Sequence, residues 1–240
     1  MRAALLIARR EVGFYLRSWT GYLIIALVLF LDGFLFNAFC VSGSKLSAQV
    51  LTEFFYNASG VTVIAAALIS MRLLAEEHQS GTINLLYSSP VRDHEIVLGK
   101  FLGALVFLAV MTLPTVYMPM MIFLHGKISW GHLAAGYLGL MFYGAAALAV
   151  GTLASALTKI PILAGVIAGC SIGVLILTHW LARVTERPLS EVLTAMAFHG
   201  THFPPFQQGM IHLRDVVYYL AITYVALFAA TRVLEARRWR

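Results

Sequence analysis

Charge is scarce in this sequence of 240 residues: Asp, Glu, Lys and Arg make up 12% of it, about half of what a soluble domain carries. With 60% hydrophobic residues and a mean hydropathy of +0.83, a water-soluble fold is excluded and an integral membrane protein is indicated. Cysteine is rarer still. Cys40 and Cys170 lie in or beside apolar runs without CxxC spacing, so neither a disulfide framework nor a zinc site is indicated. A phosphate-cradling loop is missing too, because Gly99-Lys100 and Gly43-Ser44-Lys45 lack the preceding glycine and the following Ser/Thr. The chain is therefore expected to hold no cofactor of its own and to hydrolyse no ATP. HExxH, GxSxG and an intramembrane carboxylate pair are also absent, which argues for a noncatalytic chain. Near the N-terminus, Arg9, Arg10, Glu11 and Arg17 interrupt any signal-peptide core and no small-residue cleavage site follows, so the first apolar span is expected to persist in the mature protein.

What is present is six apolar runs, each near the roughly 20 residues that a bilayer core requires. They cover 19–41, 51–74, 96–124, 133–157, 160–181 and 216–234, leaving no room for a separate soluble domain. The expectation is an all-α integral membrane fold, one transmembrane domain over 1–240. An even number of spans puts both termini on one side. With that side cytoplasmic, twelve Lys/Arg fall inside and five outside, and this bias places both termini in the cytoplasm, as a multi-pass protein of the cytoplasmic (inner) membrane. The net charge of +6 is thus topological, and no nucleic-acid partner is expected.

Residues 1–18 are too polar to span but show helical periodicity. At about 100° per residue, Arg2, Arg9, Arg10 and Arg17 fall within one arc and Ala4, Ile7, Ala8, Val12, Phe14 and Tyr15 occupy the other side. Such a helix is expected to lie along the inner membrane surface, with lipid as a partner. The longest outer loop, 182–215, is expected to form a cap that dips into the membrane, with a short helix opened by Pro188 and closed before His199-Gly200.

Within the spans, Asp32 is the one acid at depth, with Asn37 a turn and a half further on. It either lines a polar pathway or subunit contact, or lies near the outer interface in water. Gly165, Gly169 and Gly173 form a smooth strip for close helix packing, within the subunit or against another. Pro114 and Pro119 are expected to kink the third span. Six of the eight histidines fall near the outer face, but only His199-x-x-His202 forms a local pair, so no metal site is assigned.

The polar loop 75–95 holds the most informative segment, Glu76-Glu77-His78-Gln79-Ser80-Gly81-Thr82-Ile83-Asn84-Leu85-Leu86-Tyr87-Ser88-Ser89-Pro90-Val91. Ile83, Leu86 and Tyr87 share a helical face and Pro90 stops the helix, giving a short amphipathic element suited to a partner's groove or to the headgroups. This segment resembles the cytoplasmic loop of ABC-2 type transporter permeases, with Asn84 where many relatives carry an acid. Ala8-Arg9-Arg10-Glu11 and Leu16-Arg17-Ser18 are similar to that family's elbow helix. His202-Phe203, Phe206, Gly209-Met210-Ile211 and Leu213-Arg214-Asp215-Val216-Val217-Tyr218-Tyr219 resemble its gliding-motility and copper-enzyme-maturation subgroup.

The resemblance implies the permease half of a type V exporter. Two permeases, identical or not, would pair with cytoplasmic ATPase subunits that bind ATP and Mg, with room for an accessory protein outside. It assigns ATPase docking to a coupling helix at Gly81, Thr82, Ile83, Leu85, Leu86, Tyr87 and Pro90, and the elbow role to Arg9, Arg10, Glu11 and Arg17. Residues 155–161 match the position of a second, smaller coupling contact. Two rivals share much of this pattern: a membrane anchor for an ATPase doing mechanical work, and a metal-handling subunit using the outer histidines.

Overall fold

The computed structural model describes residues 2–40, 46–81, 91–122 and 129–238, and every regular element among them is helical. Helix α1 (Arg2–Arg17) is followed by α2 (Trp19–Leu35), which runs on into a π-helical turn, Phe36–Cys40. Then come α3 (Ser47–Ser70), the short α4 (Ala75–Ser80), and α5 (Asp93–Thr112). A 3₁₀ turn at Leu113–Val116 separates α5 from α6 (Tyr117–Ile122). Helices α7 (Trp130–Leu157), α8 (Pro161–Val184), α9 (Leu189–Met196), α10 (Pro204–Gln207) and α11 (Leu213–Arg238) complete the chain.

Six segments are long and apolar enough to cross a membrane: Trp19–Cys40, Ser47–Ser80, Asp93–Ile122, Trp130–Leu157, Pro161–Val184 and Leu213–Arg237. They coincide with the six runs read from the sequence. Spans two, three and four form the centre, with 61%, 61% and 67% of their apolar windows buried, against 28%, 17% and 17% for spans one, five and six. The outer three spans therefore present most of their surface to lipid or to other chains. The break expected in span three is present and has a local cause: Pro114 has no N–H to give, and the helix tightens to 3₁₀ around it.

Helix α1 occupies the predicted residues, but its apolar side packs on protein rather than on lipid. Ala4, Ala8 and Tyr15 are buried, and Tyr15 stacks on Phe107 of α5 with centroids 4.7 Å apart. The approach is close because α5 offers glycine there. A Cβ on Gly99 would strike the Ala4 carbonyl and Ile7, and one on Gly103 would strike Glu11 and the Ala8 carbonyl. This is small-xxx-small packing, and it turns the basic side of α1 outward.

At the opposite end of the bundle, residues 185–212 fold back into it. Phe198, Phe203 and Phe206 are fully buried and surround Tyr143 and Tyr219. Tyr219 donates to the Phe198 carbonyl at 2.9 Å, fixing the cap on span six.

Candidate functional site

Five charged residues, Glu11, Arg72, Glu76, Glu77 and Lys100, converge where α1, α4 and the start of α5 meet. Lys100 lies about two turns into α5, with only 4% of its side chain exposed. Its ammonium sits 2.8 Å from Glu11 of α1 and 2.8 Å from Glu77 of α4. A buried ammonium is tolerated only with such partners, since an unpaired one costs several kcal/mol, on the order of 3–5 once a partner is removed. Glu77 keeps one further buried oxygen, Oε2, without a hydrogen-bond partner.

A second layer surrounds this triad. Arg72 grips Glu76 through two bonds of 2.7 Å, donates to Thr20 Oγ1 at 2.8 Å, and lies 5.7 Å over the Phe14 ring. Tyr15 donates from its buried hydroxyl to the Ile69 carbonyl at 3.0 Å. Burial raises the Tyr15 hydroxyl above the ordinary tyrosine range; the nearby Glu11 charge adds to this and Arg72 opposes it. At neutral pH it is a fixed donor.

The turn between α3 and α4 is held from span four. Ser155 is fully buried; its Oγ accepts from the backbone N–H groups of Leu74 and Ala75 at 3.0 and 2.9 Å and donates to the Met71 carbonyl at 3.2 Å. One hydroxyl thereby satisfies three groups freed where the helix breaks. Arg237 of α11 donates to the Leu157 carbonyl at 2.6 Å, so the C-terminal helix is tied to the same end. The arrangement joins α1, α4, α5 and α7 into one block at the edge of the segment that leads into residues 82–90.

The predicted site residues are distributed as follows. Gly81, expected to open the docking helix, closes α4 instead, in the left-handed conformation (φ 72°) that favours glycine. Thr82, Ile83, Leu85, Leu86, Tyr87 and Pro90 lie outside the described residues. Glu11 belongs to the Lys100 triad, whereas Arg9, Arg10 and Arg17 are exposed on the outward side of α1. Asp32 is 6% exposed and its Oδ1 has no hydrogen-bond partner, while Asn37 is exposed, so the two do not share one environment. Gly33, beside Asp32, faces Met118 and Tyr117, just past the break in span three. Gly165 packs on Met71, but Gly169 and Gly173 meet nothing, so the strip is divided between contact within the chain and open surface.

The histidines are engaged separately. His199 Nε2 lies 2.8 Å from Ser59 Oγ, His202 Nδ1 lies 2.7 Å from Asp215, and His132 Nε2 lies 2.6 Å from the Gln207 carbonyl. Burial, with His179 beside it, lowers the His199 pKa to about 4. Among the described residues no group of three or more His, Cys, Asp or Glu converges on a common point.

The Lys/Arg count places Arg72 and Lys100 in the cytoplasmic loop, Glu77 belongs to the segment that resembles the family's loop, and Ser155 opens the second, smaller coupling contact, but none of these readings brings the four together. The signal for Lys100 was available: it stands between Gly99 and Gly103, where a close-packed neighbour supplies its partners.

Residues 5–238 match the family described as ABC-2 family transporter protein, almost the whole described chain. The chain belongs to the ABC-2 family of transporter proteins. No curated protein matches it. As an ABC-2 family protein with six membrane-crossing helices, it is a multi-pass membrane protein and a permease subunit of an ABC transporter. Members of the ABC-2 family are generally noncatalytic membrane subunits that work with an ABC ATPase partner.

Proposed function

We propose that this permease receives force from a cytoplasmic ATPase on residues 81–90 and passes it, through α4 and the Lys100 triad, to α1 and span three, driving export across the inner membrane. The observation that carries the proposal is Lys100 shared between Glu11 and Glu77, because the segment entering the docking loop is bonded by charge to two other helices. Charge-assisted bonds at 2.8 Å in a buried setting are stiff and directional, so displacement of α4 drags its partners. Both termini and the loop lie in the cytoplasm in this reading, as the arginine and lysine bias requires. Two permease copies complete the assembly, and the exposed faces of spans one, five and six supply the surface for that pairing.

The test is affinity purification of the full chain from its native host, followed by ATPase assays on the complex. The expected result is a co-purifying ATPase that is lost in Ile83→Asp or Leu86→Asp, and retained but uncoupled from transport in Lys100→Met. If no ATPase co-purifies, or if the two loop variants keep full activity, the reading fails.

A further inference from the structure

The outward side of α1 holds an open cleft of about 830 Å³, lined by Leu6, Arg9, Arg10, Gly13, Arg17 and Ser18 with Phe14 at one edge. At about 100° per residue, Leu6, Gly13 and Arg17 fall between Arg9 and Arg10, so the arginines surround a floor formed at Gly13. A Cβ at Gly13 would meet nothing within 4 Å, which leaves that floor open.

Three further features define what the cleft takes. Among the described residues, none of the three arginines makes an ion pair or a side-chain hydrogen bond; the one acid of α1, Glu11, is bonded to Lys100, and of the three arginines Arg10 alone also borders the neighbouring cleft, which holds Glu76 and Glu77. The cleft ends at Ser18, directly before Trp19, which opens span one and is 82% exposed, as suits a tryptophan at the headgroup level. Beside Arg9, the helix shows Leu5 and Leu16, 66% and 36% exposed, an apolar edge continuous with the acyl region. Positive charge without a protein partner, set between an interfacial tryptophan and an apolar edge, matches a negatively charged headgroup whose tails run alongside span one.

We propose that the cleft on α1 binds the headgroup of one anionic phospholipid, its phosphate held by Arg9, Arg10 and Arg17 over Gly13. The site shares no residue with the ATPase-docking segment, and its occupancy is read on the permease alone. Arg10 and Phe14 also line the neighbouring cleft that contains Glu77 and Lys100, so the bound headgroup lies against the back of the charged block.

The purified full-length chain is titrated with phosphatidylglycerol or with phosphatidylcholine and followed by native mass spectrometry and thermal unfolding. One phosphatidylglycerol per chain is expected, at least about tenfold tighter than phosphatidylcholine, given three basic residues at the headgroup plane. Arg9→Gln/Arg10→Gln/Arg17→Gln should abolish this preference. Gly13→Leu keeps all three charges and fills the floor; it should remove the bound phosphatidylglycerol while leaving unfolding in phosphatidylcholine unchanged. If Gly13→Leu binds phosphatidylglycerol as the unaltered chain does, the attraction is diffuse surface charge and the proposal fails. It fails equally if phosphatidylcholine binds as tightly, or if glycerol 3-phosphate alone gives the same stabilisation, which would make the ligand a soluble anion.

Discussion

The ammonium of Lys100 lies 2.8 Å from the carboxylate of Glu11, bonding two helices through residues 89 positions apart in the chain. Replacing Lys100 by Met should leave two carboxylates facing each other around an apolar side chain, and unfolding should cost about 3 kcal/mol less. Adding Glu11→Gln and Glu77→Gln to that variant should restore most of the loss. A denaturation series across the single, double and triple variants reads this directly, and a triple variant no more stable than Lys100→Met would contradict it.

Ser155→Ala removes the acceptor for two buried backbone N–H groups, those of Leu74 and Ala75. An unsatisfied buried donor costs about 1–3 kcal/mol, so the variant should unfold earlier. Amide exchange at Leu74 and Ala75 should rise well above that of the α3 interior, and unchanged protection there would refute the assigned role.

The cap formed by residues 185–212 should be sensitive to acid through His199. Its pKa is lowered to about 4 by burial, whereas an unfolded histidine titrates near 6.5, so the unfolded chain takes up the proton first. Stability contributed by neutral His199 is therefore complete above about pH 6.5 and is lost as the pH falls from there towards about 4. Thermal unfolding between pH 7.5 and 5 should show this decline, and His199→Gln should flatten it.

Asp32 has a buried oxygen without a hydrogen-bond partner in an apolar span. Asp32→Asn removes an ionisable group at depth and should raise stability by up to about 2 kcal/mol. Transport measured beside stability separates pathway from scaffold: a stabilised variant with lost transport places Asp32 on the route, and one with full transport removes it.

Gly103→Val should push α1 off span three, because its side chain meets Glu11 and the Ala8 carbonyl. Crosslinking between cysteines placed at Ala8 and Ala104 should fall relative to the unaltered packing, and an undiminished yield would show that α1 accommodates the branch.

Much of this architecture was legible from hydropathy, since a helix that crosses a bilayer must state its length in consecutive apolar residues. Residues 19–41 and Trp19–Cys40 differ at the C-terminal end by a single position. Helix α1 was legible from the spacing of its arginines, but its partner was not: periodicity says which side of α1 is apolar and not whether lipid or protein covers it. Only Gly99-x-x-x-Gly103 pointed to a protein neighbour. The triad was harder, because Lys100 satisfies a positive-inside count equally well as a loop charge or as a buried one. Ser155 gave no signal, since its task depends on a helix break more than eighty residues away.

The order of synthesis gives the Lys100 triad a final consequence. Glu11 and Glu77 are made before Lys100, and the glycines that admit α1, Gly99 and Gly103, flank that lysine. While the first two spans are emerging, α1 thus lacks its main bed and both carboxylates lack their shared cation. The N-terminal arm locks only when the third span arrives, so the insertion of that span is the step at which a nascent chain commits to its final arrangement.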